Sequence, residues 1–342
     1  IMAQTEPALY LAADKEKMTQ WVDSVFDTLS FDERIGQLFM VIADPSTDTR
    51  NMARLLTYVN EQKIGGILYH KGDPVTQATV TNQLQNAARV PLLVALDGEW
   101  GLSMRLSGTP RFPRNMMLGA IEDISLLRAY GYEIGRQCRE MGIHINFAPV
   151  IDVNSNTGNP VIGIRSFGEN PQSVAERGSA YATGLESAGV LSVAKHFPGH
   201  GDTFEDSHFT LPSVFHDRFR LDSIEMPPFR RYISDGFAGI MTGHLFVPAL
   251  GKRPGVPTSL SREVVTNLLY DELGFRGLRF TDALAMKGAT DAVKDTNVCV
   301  MALLAGNDVL LAPAAPATDF EAVKAAVLNG TLEISDIEAK CI

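Results

Sequence analysis

The segment Ala194-Lys195-His196-Phe197-Pro198-Gly199-His200-Gly201-Asp202-Thr203-Phe204-Glu205-Asp206-Ser207-His208 concentrates three His, two Asp, a Lys and a Glu around a Pro-Gly turn. It follows an apolar run, Gly189 to Val193, with the character of a buried strand. Most strand-to-helix connections are only ~2–6 residues long. A long titratable loop at a strand's C-terminal end commonly carries function in α/β proteins.

Three readings of the loop compete. It is a solvated loop with a chance cluster of His. It is a metal site, with His196, His200, Asp202, Asp206 and His208 as ligand candidates, although the helical His-Glu-x-x-His pattern is missing. Or it does acid–base work through Asp206 and His208. Residues two apart on an extended segment point the same way, so the carboxylate can fix one imidazole nitrogen and free the other to move a proton. Asp282, at the abrupt end of the apolar run Leu278 to Phe280, is a rigidly placed carboxylate.

The string Lys-His-Phe-Pro-Gly-His-Gly-Asp-Thr, followed by Asp-Ser-His, resembles the signature of glycoside hydrolase family 3, in its bacterial β-N-acetylglucosaminidase branch. The resemblance implies a retaining hydrolase that releases terminal β-linked N-acetylglucosamine from glycans or cell-wall fragments. Asp282, in Thr281-Asp282-Ala283, would be the nucleophile, and His208 oriented by Asp206 the acid/base. It further implies substrate contacts from Asp97, Arg105, Arg165 and the pair Lys195-His196, and neither metal nor cofactor. Two departures touch the sugar pocket. The family's Asp-x-Glu-Gly-Gly-Arg-Val is here Asp97-Gly98-Glu99-Trp100-Gly101-Leu102-Ser103, and Ile164 replaces the usual acid before Arg165. Taken alone, Arg105 and Arg165 are equally compatible with surface ion pairs. A glycoside phosphorylase and a catalytically inactive glycan-binding barrel are the alternatives.

The elements that must position these groups are legible. Eight apolar runs of strand length occur: Gln37 to Ala43, Gly66 to Tyr69, Pro91 to Leu96, Ile143 to Phe147, Val190 to Ala194, Gly239 to Met241, Leu278 to Phe280 and Asp308 to Leu311. They lack strict polar alternation, as parallel strands buried on both faces do. Helical patterns lie between them, at Val75 to Ala88, Ser125 to Met141, Ser173 to Ala188, Arg262 to Leu273 and Asp319 to Leu328. This alternation predicts an α/β (β/α)8 TIM barrel forming a single catalytic domain over residues 31–342, after a helical extension over 1–30. An open doubly wound sheet would show a glycine-rich phosphate turn after the first strand, and none is present. The third to seventh runs end near Asp97 and Glu99, Asp152, Lys195 and His196, His244, and Asp282. They thus deliver ionisable groups to the end of the barrel where active sites sit.

Composition sets the outer bounds. The chain has 342 residues, 45% hydrophobic and 20% charged, enough apolar material for a large core. A formal net charge of −10 disfavours nucleic acid or an anionic membrane as partner; the carbohydrate substrate is what the family resemblance implies. No apolar run is long enough to span a membrane. The three Cys lie far apart and read as ordinary thiols. The apolar start, Ile1-Met2-Ala3, reads as a processed leader or an expression scar. A periplasmic or secreted location is expected, with the cytoplasm as the alternative. The helical pattern from Ile334 stops abruptly at Ile342, as in a piece of a longer protein, and some family relatives carry additional C-terminal domains.

Overall fold

A computed structural model describes residues 8–205, 210–251, 253–293 and 296–342. Its centre is a parallel eight-stranded sheet: β1 (Phe39–Ala43), β2 (Gly66–Tyr69), β3 (Leu93–Leu96), β4 (Ile145–Asn146), β5 (Leu191–Phe197), β6 (Gly239–Thr242), β7 (Leu278–Thr281) and β8 (Leu310–Leu311). The strands neighbour one another in the order β7-β6-β5-β4-β3-β2-β1-β8. A parallel bridge between Phe280 and Val309 brings the two edges together, and the Thr281 N–H donates to the Val309 carbonyl at 3.1 Å. The single-domain α/β barrel anticipated above is the fold.

Both strand faces are buried, which is why the runs do not alternate apolar with polar. Met40, Leu68, Ala95, Ile145, Val193, Met241 and Phe280 fill the barrel interior. Val41, Ile67, Val94, Ala194 and Ile240, one residue out of step, pack outward against the helices. Phe147 and Phe280 meet edge to face inside the barrel, with centroids 5.4 Å apart.

The pleat also places the chemistry. Two residues beyond an interior side chain, the next one faces the same way. Ala95 is followed so by Asp97, Val193 by Lys195 and Phe280 by Asp282. In each case the strand's apolar register ends in an ionisable group at the barrel mouth.

Some local details differ from the sequence reading. β5 runs to Phe197 rather than stopping at Ala194, because Lys195 bridges Val150 and Phe197 pairs with Thr242. Lys195 and His196 therefore sit on the strand itself. Ahead of β1 lies a six-residue helix, Phe31–Gly36, held by a full capping box between Ser30 and Glu33. The helix expected over Arg262 to Leu273 is present as Glu263–Glu272, but with the wider hydrogen bonding of a π-helix. The helices Ile124–Glu140 and Pro171–Ser187 pack closely. A Cβ on Gly184 would lie 2.2 Å from the Arg128 carbonyl oxygen, so the contact requires glycine. Before the barrel, Ala8–Ala12 and Lys15–Phe26 are helical with no buried residue. Among the described residues, no helix is long and apolar enough to cross a membrane.

One buried carboxyl stands apart from the mouth. Glu186 accepts hydrogen bonds from the Ser192 hydroxyl (2.6 Å) and the Ala238 N–H (2.9 Å), while its Oε2 has no partner among the described residues. Burial pushes its pKa up to about 7. A carboxyl that is harder to ionise in the fold than in the unfolded chain contributes its stability fully below its unfolded pKa. That contribution is lost as the pH rises through the folded value. Glu186→Gln, which keeps the acceptor and cannot ionise, is expected to gain stability relative to the parent between pH 5 and pH 8. Urea denaturation at the two pH values checks this; an unchanged difference would refute it.

Candidate active site

The polar centre of the mouth is a buried ion cluster on β3 and β5. Lys195 is only 3% exposed. Its Nζ lies 2.5 Å from Asp97 Oδ1 and 2.9 Å from Glu99 Oε1. Arg165, from the loop after β4, grips Glu99 bidentately, with Nη2 at 2.7 Å and Nε at 3.0 Å from its oxygens. Arg105 closes the other side by pairing with Asp97 through its guanidinium and donating Nε to the Asp97 carbonyl. Neither arginine forms a surface ion pair.

Burial alone would raise both carboxyls. For Asp97 it is outweighed chiefly by Lys195 and Arg105, and for Glu99 by Arg165 and Lys195, so both stay below the ordinary carboxylate range. The cluster is thus a set of fixed charges, with donors and acceptors held in place before any ligand arrives.

A second network orients the imidazoles. Asp152, fully buried after β4, receives the His196 ring Nδ1 at 2.8 Å and the His200 backbone N–H at 2.7 Å. With its Nδ1–H on a carboxylate, His196 turns Nε2 toward Arg165 Nη2 at 3.5 Å. His200 is also buried, and its Nδ1 meets the Thr203 hydroxyl at 2.8 Å. Burial, aided by the neighbouring His196, pushes His200 down to about 4, so it is a neutral ring near pH 7.

Asp282 lies across the mouth, just past β7. Its backbone N–H donates to the Thr242 carbonyl at 2.9 Å, and its Oδ1 accepts from the Ala283 N–H at 2.7 Å. His244 secures Ala283 from its other side: its Nε2 lies 3.0 Å from the Ala283 carbonyl, and its Nδ1 faces the Ser259 hydroxyl at 2.7 Å. A carbonyl only accepts, so Nε2 carries the proton. Burial pushes the Asp282 carboxyl upward. The imidazoles of His244 and His196, the Ala283 N–H and the Lys195 ammonium together outweigh that and hold it ionised.

Asp97, Arg105, Arg165, Lys195, His196 and Asp282 all line one cavity of about 230 Å³. This is below the ~300–1,000 Å³ of typical drug-sized sites and suits a single small polar ring. A larger cavity, about 1140 Å³, lies at the opposite end of the barrel, beside Leu191, Ala238 and Leu278 at the strand starts. Its Arg279 and Lys340 are both committed to Asp308, and among the described residues it gathers no reactive constellation. The smaller cavity, at the end of the barrel where active sites sit, is therefore the candidate active site. Asp206 and His208 lie outside the described residues. The described chain leaves β5 through His200 and Thr203, anchored by Asn156 and Asn159, and after the undescribed residues the Val214 N–H donates to the Phe246 carbonyl and the Phe246 N–H to the Pro212 carbonyl. A contact between His216 and Asp202 joins the two stems.

The sequence profile described as "Glycosyl hydrolase family 3 N terminal domain" matches residues 30–341. The chain belongs to glycosyl hydrolase family 3. β-Hexosaminidase A of Pseudoalteromonas piscicida is 38% identical over 281 residues, covering 75% of this chain and 47% of that protein. A family 3 β-N-acetylglucosaminidase structure from a Paenibacillus species superposes with a TM-score of 0.85 at 37% identity, over 92% of this chain and 61% of the other. The β-N-acetylhexosaminidase structure from Beutenbergia cavernae gives 0.80 at 29% identity, over 92% and 97%. The chain thus spans about half the length of its Pseudoalteromonas relative and nearly all of the Beutenbergia one.

Sequence reasoning did not place Glu99, Asp152 or His200 in the binding set, although their signals were present. Glu99 stands two residues after Asp97, and Asp152 ends the stretch after β4. Their importance comes from buried pairings made across strands. Removing one member of a buried ion pair typically costs ~3–5 kcal/mol, because the other charge is stranded. Glu99→Ala leaves Arg165 and Lys195 short of a buried counter-charge, and a loss of that order in denaturant-melt stability is expected. A loss within ~0.5 kcal/mol, the range of ordinary surface changes, would show that the cluster contributes little to the fold.

Proposed function

We propose that this chain is the catalytic barrel of a retaining β-N-acetylhexosaminidase that removes a terminal β-linked N-acetylglucosamine from glycans such as cell-wall fragments. The observation that carries the reading is the ionised Asp282 carboxylate set into a one-ring cavity, across from a cluster of fixed polar groups. Glycoside hydrolysis with retention needs such a carboxylate at the anomeric carbon and a separate proton donor at the leaving oxygen. The names of the relatives supply the amino-sugar preference.

In this mechanism an Asp282 oxygen attacks the anomeric carbon as the glycosidic C–O bond breaks. The departing oxygen takes a proton from the His208 imidazolium, which the Asp206 carboxylate orients and stabilises. His208, now neutral, accepts a proton from the water that displaces Asp282 and restores both groups. Asp97, Lys195, His196, Arg105 and Arg165 hold the ring hydroxyls. A histidine suits this role because its ordinary pKa of about 6.5 lies near neutrality without extreme tuning.

Asp282→Asn is expected to abolish turnover of aryl N-acetyl-β-glucosaminides while the protein stays folded; unchanged turnover would remove the nucleophile assignment. For His208→Ala the loss should depend on the leaving group. Poor leaving groups should lose ~10²–10⁴-fold and activated phenols far less, since only the former need protonation. Equal losses on both would count against His208 as the acid. Assays in phosphate buffer should yield free sugar; accumulation of a sugar 1-phosphate would instead mark a phosphorylase.

A further inference from the structure

The pleat that delivers Asp97, Lys195 and Asp282 delivers a fourth polar side chain. Leu68 faces the barrel interior, and His70, two residues on, lines the same cavity at the end of β2. Its side chain is 50% exposed, which puts it at the rim. Its Nδ1 is 3.9 Å from Asp44 Oδ1, beyond hydrogen-bond reach, and among the described residues its ring makes no hydrogen bond. Asp44, Asp97, Arg105 and Lys71 are the charged groups that act on it. Burial, then Arg105, keeps the imidazole below its ordinary range and so neutral near pH 7, with one donor and one acceptor available.

Barrel topology says which part of a sugar this ring meets. β7, which leads to Asp282, lies four strands from β3 and three from β2 around the closed sheet. Asp97 and His70 therefore stand on the wall opposite the nucleophile. In a six-membered ring whose C1 sits at Asp282, the atom on the opposite side is C4. We propose that His70 is a specificity-determining residue that donates a hydrogen bond to the C4 hydroxyl of the bound sugar, while that hydroxyl donates to the Asp97 carboxylate. A hydroxyl has one proton and two lone pairs, so it satisfies both partners at once. A sugar linked through O4 lacks the proton for Asp97, which restricts the site to terminal residues. This inference rests on the glycosidase reading for the orientation of the ring.

Calorimetric titration of the whole chain with N-acetylglucosamine and its 4-deoxy and 6-deoxy analogues tests it without requiring turnover. His70→Ala should weaken the parent sugar and the 6-deoxy analogue about 3–10-fold, the range of one net hydrogen bond. It should leave the 4-deoxy analogue unchanged, and His70→Gln should recover part of the loss. Equal weakening of all three sugars would assign His70 a merely structural role and overturn the proposal, as would a wild-type protein that binds none of them. Sugar binding with the expected pattern, but without hydrolysis of any glycoside, would uphold His70 while sinking the hydrolase reading.

Discussion

Lys195 is the interaction on which the rest of the site depends. One ammonium, almost wholly out of water, sits between two carboxylates that follow β3, two strands away around the sheet. Burying any of the three charges alone would cost several kcal/mol. Together, with Arg165 on Glu99 and Arg105 on Asp97, each charge has a counter-charge within contact distance. The arrangement fixes side chains that would otherwise be long and mobile. A sugar ring offers many weak hydrogen bonds, and these favour binding most when the partners are already ordered.

The same economy explains the division of labour among the imidazoles. His196 is fixed by Asp152, His200 by its buried backbone contact to the same carboxylate, and His244 by Ser259 and the Ala283 carbonyl. Each has a ring nitrogen committed to the scaffold, which fixes how its ring is turned. His208, the acid/base of the proposed mechanism, lies outside the described residues. Asp282, its proposed nucleophile, is held just past a strand end, where packing and backbone hydrogen bonds fix a side chain well.

Much of the barrel was legible in the sequence. The eight apolar runs became the eight strands because a strand buried on both faces has no polar alternation, and few other elements have that look at that length. The ends of the runs were less secure. β5 continues past Ala194 through pairing with Val150 and Thr242, partners that no local pattern reveals. The short helix Phe31–Gly36 is held because Glu33 reaches back to complete the capping box with Ser30 and is then paired with Arg89, a partner far along the chain. Asp97, Arg105, Arg165, Lys195, His196 and Asp282 were assigned to the site and do share one cavity.

By itself the sequence determined the order of strands and helices, the side of the barrel that receives the ionisable groups, and the identity of the carboxylate and imidazole candidates. Those depend on local spacing: an apolar register of two and the residue type at its end. Tertiary structure alone decided which charges meet. Arg165 reaches Glu99 across 66 positions and Lys195 reaches Asp97 across 98, and only barrel closure and strand register bring such distant residues into contact. It also decided that Glu99 and Asp152 are fully buried, and so converted two ordinary acids into the supports of the site. Pairing in space follows from register and closure, which are properties of the whole sheet and have no signature in any single stretch of chain.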